Sequence, residues 1–181
     1  MLKKIEQGLE TKQKSILFLT SQEDYWKNIS EILSGLCKKG EKKTVIVHFY
    51  YPTSFARDNM HKEQEGENIY VDLISNLLEM KSKDSKKNIN LKSPQEIEKL
   101  SDILSEKIDQ GFNVLIDSAT LMLDYNDYNT VKELTSYLKK MADLNKKSKI
   151  IALSTKDEKN MKYLKTIFKK VIDLTNTNNI S

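Results

Sequence analysis

Six short runs rich in valine, isoleucine and phenylalanine, each separated from the next by a longer amphipathic stretch, leave this chain few architectures. The runs are Ser15 to Thr20, Lys43 to Tyr51, Asn68 to Leu73, Phe112 to Asp117, Lys149 to Ser154 and Lys170 to Leu174. Several are apolar at consecutive positions, as in strands whose two faces are both covered by helices. Strands alternating with helical stretches are βα units, so the expected fold is α/β: a three-layer α/β/α sandwich around a mostly parallel central sheet.

The helices are read from spacing. Trp26, Ile29, Leu33 and Leu36 recur at three and four residues, with Gly40 as a stop. Ser93-Pro94-Gln95-Glu96 reads as a capping box with proline at the first helical position, ahead of Ile97, Leu100, Leu104 and Ile108, and Gly111 closes that helix. A third helix carries Val131, Leu134, Leu138 and Met141, and a fourth carries Met161, Leu164 and Phe168 after an Asp157 cap.

At 181 residues, with 38% hydrophobic and 31% charged, residues 1–181 have the size and composition of one globular domain, not of a disordered or fibrous chain. Cys37 is the single cysteine, which excludes an internal disulfide, and its setting beside Leu33 and Leu36 points to a buried small hydrophobe. No apolar run reaches the roughly 18 residues of a transmembrane helix, and residues 1–10 lack a signal-like apolar stretch, so the expected location is the cytoplasm.

The net charge of +4 is matched by one segment, Lys81 to Lys92, with five lysines against Asp84. This patch has no aromatic residue and no arginine, so it reads as a solvated loop more than as a nucleic-acid surface. It belongs to an irregular excursion, residues 52–92, of the kind that in compact domains is usually functional or mobile. Residues 176–181 form a polar tail expected to fray.

The series Val114-Leu115-Ile116-Asp117-Ser118-Ala119-Thr120, then Asp124-Tyr125-Asn126, a helix near 130–145, Ile150 to Thr155 and Lys170 to Leu174 resembles the second half of RecA/KaiC-like ATPase domains, particularly their degenerate archaeal relatives. The resemblance implies RecA/KaiC-like topology, with Asp117 at the carboxyl end of an inner strand, where family members hold magnesium through water. It implies nothing about activity unless site residues match.

They match poorly. The phosphate loop G-x-x-x-x-G-K-[ST] should follow the first strand, and the best register is Ser21-Gln22-Glu23-Asp24-Tyr25-Trp26-Lys27-Asn28, in which only Lys27 survives. Ser21 and Trp26 replace glycines whose backbone must wrap phosphate, and the Trp26 indole would fill the place of the β-phosphate. Glu23 and Asp24 set two negative charges beside a polyanion; a like-charge pair at about 4 Å costs roughly 4 kcal/mol at an effective dielectric near 20, enough to cancel the lysine. The family's catalytic glutamate is absent as well, because the second strand leaves as His48-Phe49-Tyr50-Tyr51-Pro52. His48 reads as a satisfied, partly buried histidine and His61 as a solvent-exposed one.

The remnant of a nucleotide site is thus Lys27, Asn28, Asp117 and Ser118. Asp117 is the one candidate metal ligand, with Asp72, Asp124 and Asp127 as carboxylates that the same edge could gather around Mg²⁺ or Ca²⁺. No nucleophile elbow, C-x-x-C or dinucleotide fingerprint occurs. The expected role is a non-catalytic, regulatory or protein-interaction module without a cofactor, using Tyr50, Tyr51, Phe55, Tyr125 and Tyr128 as aromatic anchors toward a protein partner or a second copy. The alternatives are an atypical ATPase that binds ATP and Mg through the remnant, and a recombinase-paralogue-like domain binding single-stranded DNA through the lysine patch.

Overall fold

The computed structural model describes residues 1–38, 43–59, 67–80, 86–145, 147–156 and 158–175. Its elements in chain order are α1 (Leu2–Glu10), β1 (Ser15–Thr20), α2 (Tyr25–Lys38), β2 (Lys43–His48), α3 (Thr53–Asn59), β3 (Glu67–Asp72), β4 (Asn88–Asn90), α4 (Ile97–Asp109), β5 (Asn113–Ile116), α5 (Ala119–Tyr125), α6 (Tyr128–Leu144), β6 (Ile150–Thr155), α7 (Glu158–Ile167) and β7 (Lys170–Asp173). The seven strands form one sheet in the order β4-β3-β2-β5-β6-β1-β7, and every pairing is parallel. This is the α/β/α sandwich of RecA-like topology, and its sheet is wholly parallel where a mostly parallel one was expected. No helix among the described residues is long and apolar enough to cross a membrane.

Period-two alternation along the strands sorts the core into two halves. Leu17, Leu19, Val45, Val47, Val114 and Ile116 face one cluster, covered by α4, α5, α6 and α7. Ile16, Phe18, Ile46, Leu115, Ile151 and Leu153 face the other, covered by α1, α2 and α3. Helices on both sides are the reason these strands read as continuous apolar runs.

All six expected strands form, β1 with the ends expected and each of the others with at least one end shifted by one to three residues. The shift is largest at β2, which stops at His48 because Phe49 to Tyr51 turn away from the ladder. Besides the expected β3, the stretch 52–92 holds α3 and the three-residue strand β4, which pairs Asn88 to Asn90 with Tyr70 to Asp72. Gly40, His61, Asp157 and the tail lie outside the described residues.

Two local expectations need correction. The capping box at Ser93 does not close: Ser93 Oγ accepts from the Gln95 N–H (3.2 Å), Glu96 Oε2 accepts from the Lys92 N–H (2.6 Å), and the helix begins at Ile97. Residues 93–96 form a turn instead, with the Glu96 N–H on the Ser93 carbonyl and the Pro94 carbonyl tied to Asn126 (3.1 Å). Cys37 is half-buried, not part of the core, because it sits at the flank of α2. Gly111 does end α4. At φ +84° it lets the Phe112 N–H reach back to the Lys107 carbonyl (2.9 Å), a Schellman closure.

Gly8 marks a close approach of α1 to the sheet. A Cβ there would lie 2.3 Å from Ile172 Cδ1 and 2.7 Å from Phe18 Cζ. Glycine to alanine inside a helix ordinarily stabilises by about 0.5–1 kcal/mol; here overpacking, at roughly 1–3 kcal/mol, outweighs that gain. Gly8→Ala is therefore expected to lower the urea midpoint of unfolding, and an unchanged or higher midpoint would contradict this packing of α1.

Candidate functional site

The chain leaves β1 and β2 toward the α1–α3 side of the sheet, and leaves β5 and β6 toward the opposite side. Because β2 adjoins β5 and β6 adjoins β1, the loops part above these four strands, at the carboxyl edge where open α/β sheets bind their ligands. Ser21, Phe49, Asp117 and Thr155 lie at this crevice.

Its floor is occupied by the protein itself. After β1 the chain makes a tight turn, in which Ser21 Oγ donates to Asp24 Oδ2 (3.0 Å) and accepts the Asp24 N–H (3.2 Å), and α2 starts at once with Tyr25. The Tyr25 side chain is fully buried, and its hydroxyl donates to the Asp117 carbonyl (3.2 Å). Burial, and then the nearby Asp117 charge, push the Tyr25 hydroxyl well above the ordinary phenol range, so it stays protonated and keeps donating. Tyr25, not Trp26, is thus the residue that fills the space above β5. Trp26 is half-buried and packs edge-on against Tyr25, with ring centres 5.0 Å apart.

Around Tyr25 the exit of β2 adds three more rings. Tyr50 and Tyr51 lie 5.3 and 5.8 Å from Tyr25, and Phe55 lies 5.1 Å from Tyr51 and 5.9 Å from Trp26. The Gln22 amide donates to the Tyr50 hydroxyl and so ties the turn after β1 to this cluster. The Tyr51 hydroxyl is pushed up to about 12, by burial first and then by its neighbour Tyr50.

The Asp117 carboxylate is fully buried and turned toward β2. It accepts the Phe49 N–H on Oδ1 (2.8 Å), the Tyr50 N–H on Oδ2 (3.3 Å), and His48 Nδ1 on Oδ2 (3.1 Å). A carboxylate only accepts, so the imidazole carries its proton on Nδ1. His48 is wholly buried and stacks on Tyr70, with ring planes 5° apart. Nδ1 is satisfied as expected, whereas Nε2 is buried with no hydrogen-bond partner.

The remaining candidates separate. Lys27 is exposed on α2, while Asn28, next to it, is buried and donates to Thr20 Oγ1 (2.5 Å). Ser118 caps α5 by accepting the Leu121 N–H (3.2 Å), and Asp127 caps α6 by accepting the Asn129 and Thr130 N–H groups (2.9 and 3.0 Å). Asp72 accepts from the Thr53, Ile74 and Ser75 N–H groups and the Ser75 hydroxyl, and Asp124 accepts from Asn160 (3.1 Å). These carboxylates do not gather around Asp117, and no group of three or more metal-ligating side chains occurs among the described residues. The five aromatic candidates also divide. Tyr50, Tyr51 and Phe55 join the cluster on the α1–α3 side, whereas Tyr125 and Tyr128 pack on the opposite core.

In the phosphate-loop register Trp26 stands at the second glycine position, whereas Tyr25, one residue earlier, has no counterpart among the motif's fixed residues. The signal was present in helical spacing, since Tyr25, Ile29 and Ile32 share the buried face of α2. No protein-family model matches this chain and no curated protein matches its sequence.

Asp72 supplies a pH-dependent term. Burial alone would raise its pKa, but the hydrogen bonds from Ser75, Thr53 and Ile74 outweigh it and hold the group below the ordinary carboxylate range. A depressed folded-state pKa contributes stability above the unfolded value, near 3.9, that is lost as pH falls through the folded value. Chemical denaturation from pH 6 downward should show stability falling below about pH 4, with a shallower fall in Asp72→Asn; parallel profiles would contradict the assignment.

Proposed function

We propose that this chain is a degenerate RecA/KaiC-like domain that does no nucleotide chemistry and acts as a regulatory, protein-interaction module. The observation that carries this reading is the placement of Tyr25. Its ring and hydroxyl occupy the floor of the crevice, at the place where a phosphate loop would open. The turn Ser21 to Asp24 offers a carboxylate where phosphate would approach, and the Asp117 oxygens are spent on backbone N–H groups of β2's exit.

What the edge presents outward instead is aromatic. Trp26, Tyr50 and Tyr51 are half-buried and Phe55 is 45% exposed, so a fixed inner ring system carries an exposed rim. Rings held by one another lose little side-chain freedom on docking, which suits them as interface anchors. Phe55 is the ring most available to a partner protein.

The decisive experiment is thermal unfolding with increasing MgATP. The expected outcome is no change in melting temperature. A rise corresponding to about 2.7 kcal/mol, as for a ligand at 100 times its Kd, that disappears in Lys27→Ala would overturn the reading in favour of an atypical ATPase. Phe55→Ser should lower stability by about 0.5–1.5 kcal/mol, the worth of its ring contacts with Tyr51 and Trp26, and leave the fold intact. Affinity capture with the two proteins should retain a partner on the wild type that the variant loses.

A further inference from the structure

The helical layer formed by α4, α6 and α7 carries two surfaces that the crevice and its aromatic rim do not use. Between α4 and α6 runs an open furrow of about 870 Å³. Its rim bears Glu98 and Asp102 from α4 and Glu133 from α6, all exposed, and its one lysine, Lys99, is already paired with Glu96. Leu134 lies at its base, and Tyr137, 44% exposed, stands at its side.

On the other flank of α6 lies a strip of opposite sign. Lys132 Nζ sits 5.7 Å from the centre of the Tyr128 ring, Tyr128 lies 4.9 Å from Tyr163, and Lys162 Nζ sits 4.8 Å from the centre of Tyr163. Lys165 and Lys169 continue the exposed cationic surface along and just past α7. Lys156 to Lys170 holds six lysines against Asp157 and Glu158, a net charge of +4 that equals that of the whole chain. The strip was invisible as a sequence motif because its rings come from two helices.

Since α6 packs against both α4 and α7, the furrow and the strip lie side by side on one outward face. A two-fold axis lying in that face and running along α6 would set each copy's carboxylate furrow on the other copy's lysine strip, so every attraction is made twice. That is the requirement for an isologous dimer. We propose that a second copy of this chain docks on the α4–α6–α7 layer in this way. A nucleic acid fits the same face less well, because a strand long enough to cross the strip would run onto Glu133 and the carboxylates of α4.

Helix α6, at 17 residues, is about 26 Å long, and three helices spaced 8–10 Å apart give a face on the order of 600 Å² per copy. Stable interfaces bury about 800 Å² per partner, so this contact makes a reversible dimer whose formation depends on ionic strength. It goes beyond the carboxyl-edge reading and is independent of it.

Sedimentation velocity of the full chain tests the proposal. At 50 mM salt and about 100 µM protein a dimer is expected, and at 500 mM salt its dissociation constant should rise at least tenfold. The double reversals Glu98→Lys with Asp102→Lys, and Lys162→Glu with Lys165→Glu, alter exposed side chains, and wild-type-like circular dichroism would certify their folds. Each should be monomeric alone, and an equimolar mixture should restore a one-to-one dimer. A wild type that stays monomeric at low salt, a dimer indifferent to both reversals, or a mixture that fails to associate would each overturn it. A dimer lost in Phe55→Ser but kept in the reversals would place self-association at the aromatic edge, overturning this proposal and leaving the previous one intact.

Discussion

The buried Asp117 carboxylate, held between the end of β5 and the exit of β2, organises the carboxyl edge of the sheet. Two backbone N–H groups, from Phe49 and Tyr50, would otherwise be stranded where the β2 ladder stops. An unsatisfied buried group of this kind costs about 1–3 kcal/mol, and a charged acceptor strengthens each bond. The consequence is geometric. With β2's exit pinned, Tyr50 and Tyr51 turn back over Tyr25, whose hydroxyl closes on the Asp117 carbonyl. One residue therefore joins the end of β5, the exit of β2 and the start of α2 at the point where the loops diverge.

A second buried carboxylate repeats the device one strand outward. Asp72 ends β3 and gathers N–H groups from Thr53, Ile74 and Ser75, so the start of α3 and the bend after β3 share one acceptor. Both aspartates stand where a ligand-binding edge would place metal-holding carboxylates, yet each is satisfied by the chain's own backbone. The same chemistry that could hold a cation from outside here holds loops from within.

Much of the architecture was legible because both faces of the sheet are covered, which forces the strands into unbroken apolar runs such as Ile16 to Leu19 and Val114 to Ile116. β4 was not, because a three-residue strand made of Asn88, Ile89 and Asn90 carries no periodicity, and the short α3 and α5 offer at most two turns of pattern. At the site, the loss of the glycines was readable, and so was the presence of Asp117. Which way the Asp117 oxygens point was not, since that depends on where β2 stops pairing. Likewise Ser118 and Asp127 matched ligand chemistry by residue type, while their helical positions made them caps.

The placement of β1 bears on the chain's birth. Ser15 aligns with Ile150 and Ile16 with Lys170, so β1 is synthesised long before either of its sheet neighbours. At about 5–20 residues per second, this apolar segment waits roughly 7–27 seconds before either neighbour can pair with it. Such a molecule completes the β6-β1-β7 side of its sheet last, and the interval is one in which Ile16, Leu17, Phe18 and Leu19 are open to chaperones or to neighbouring nascent chains.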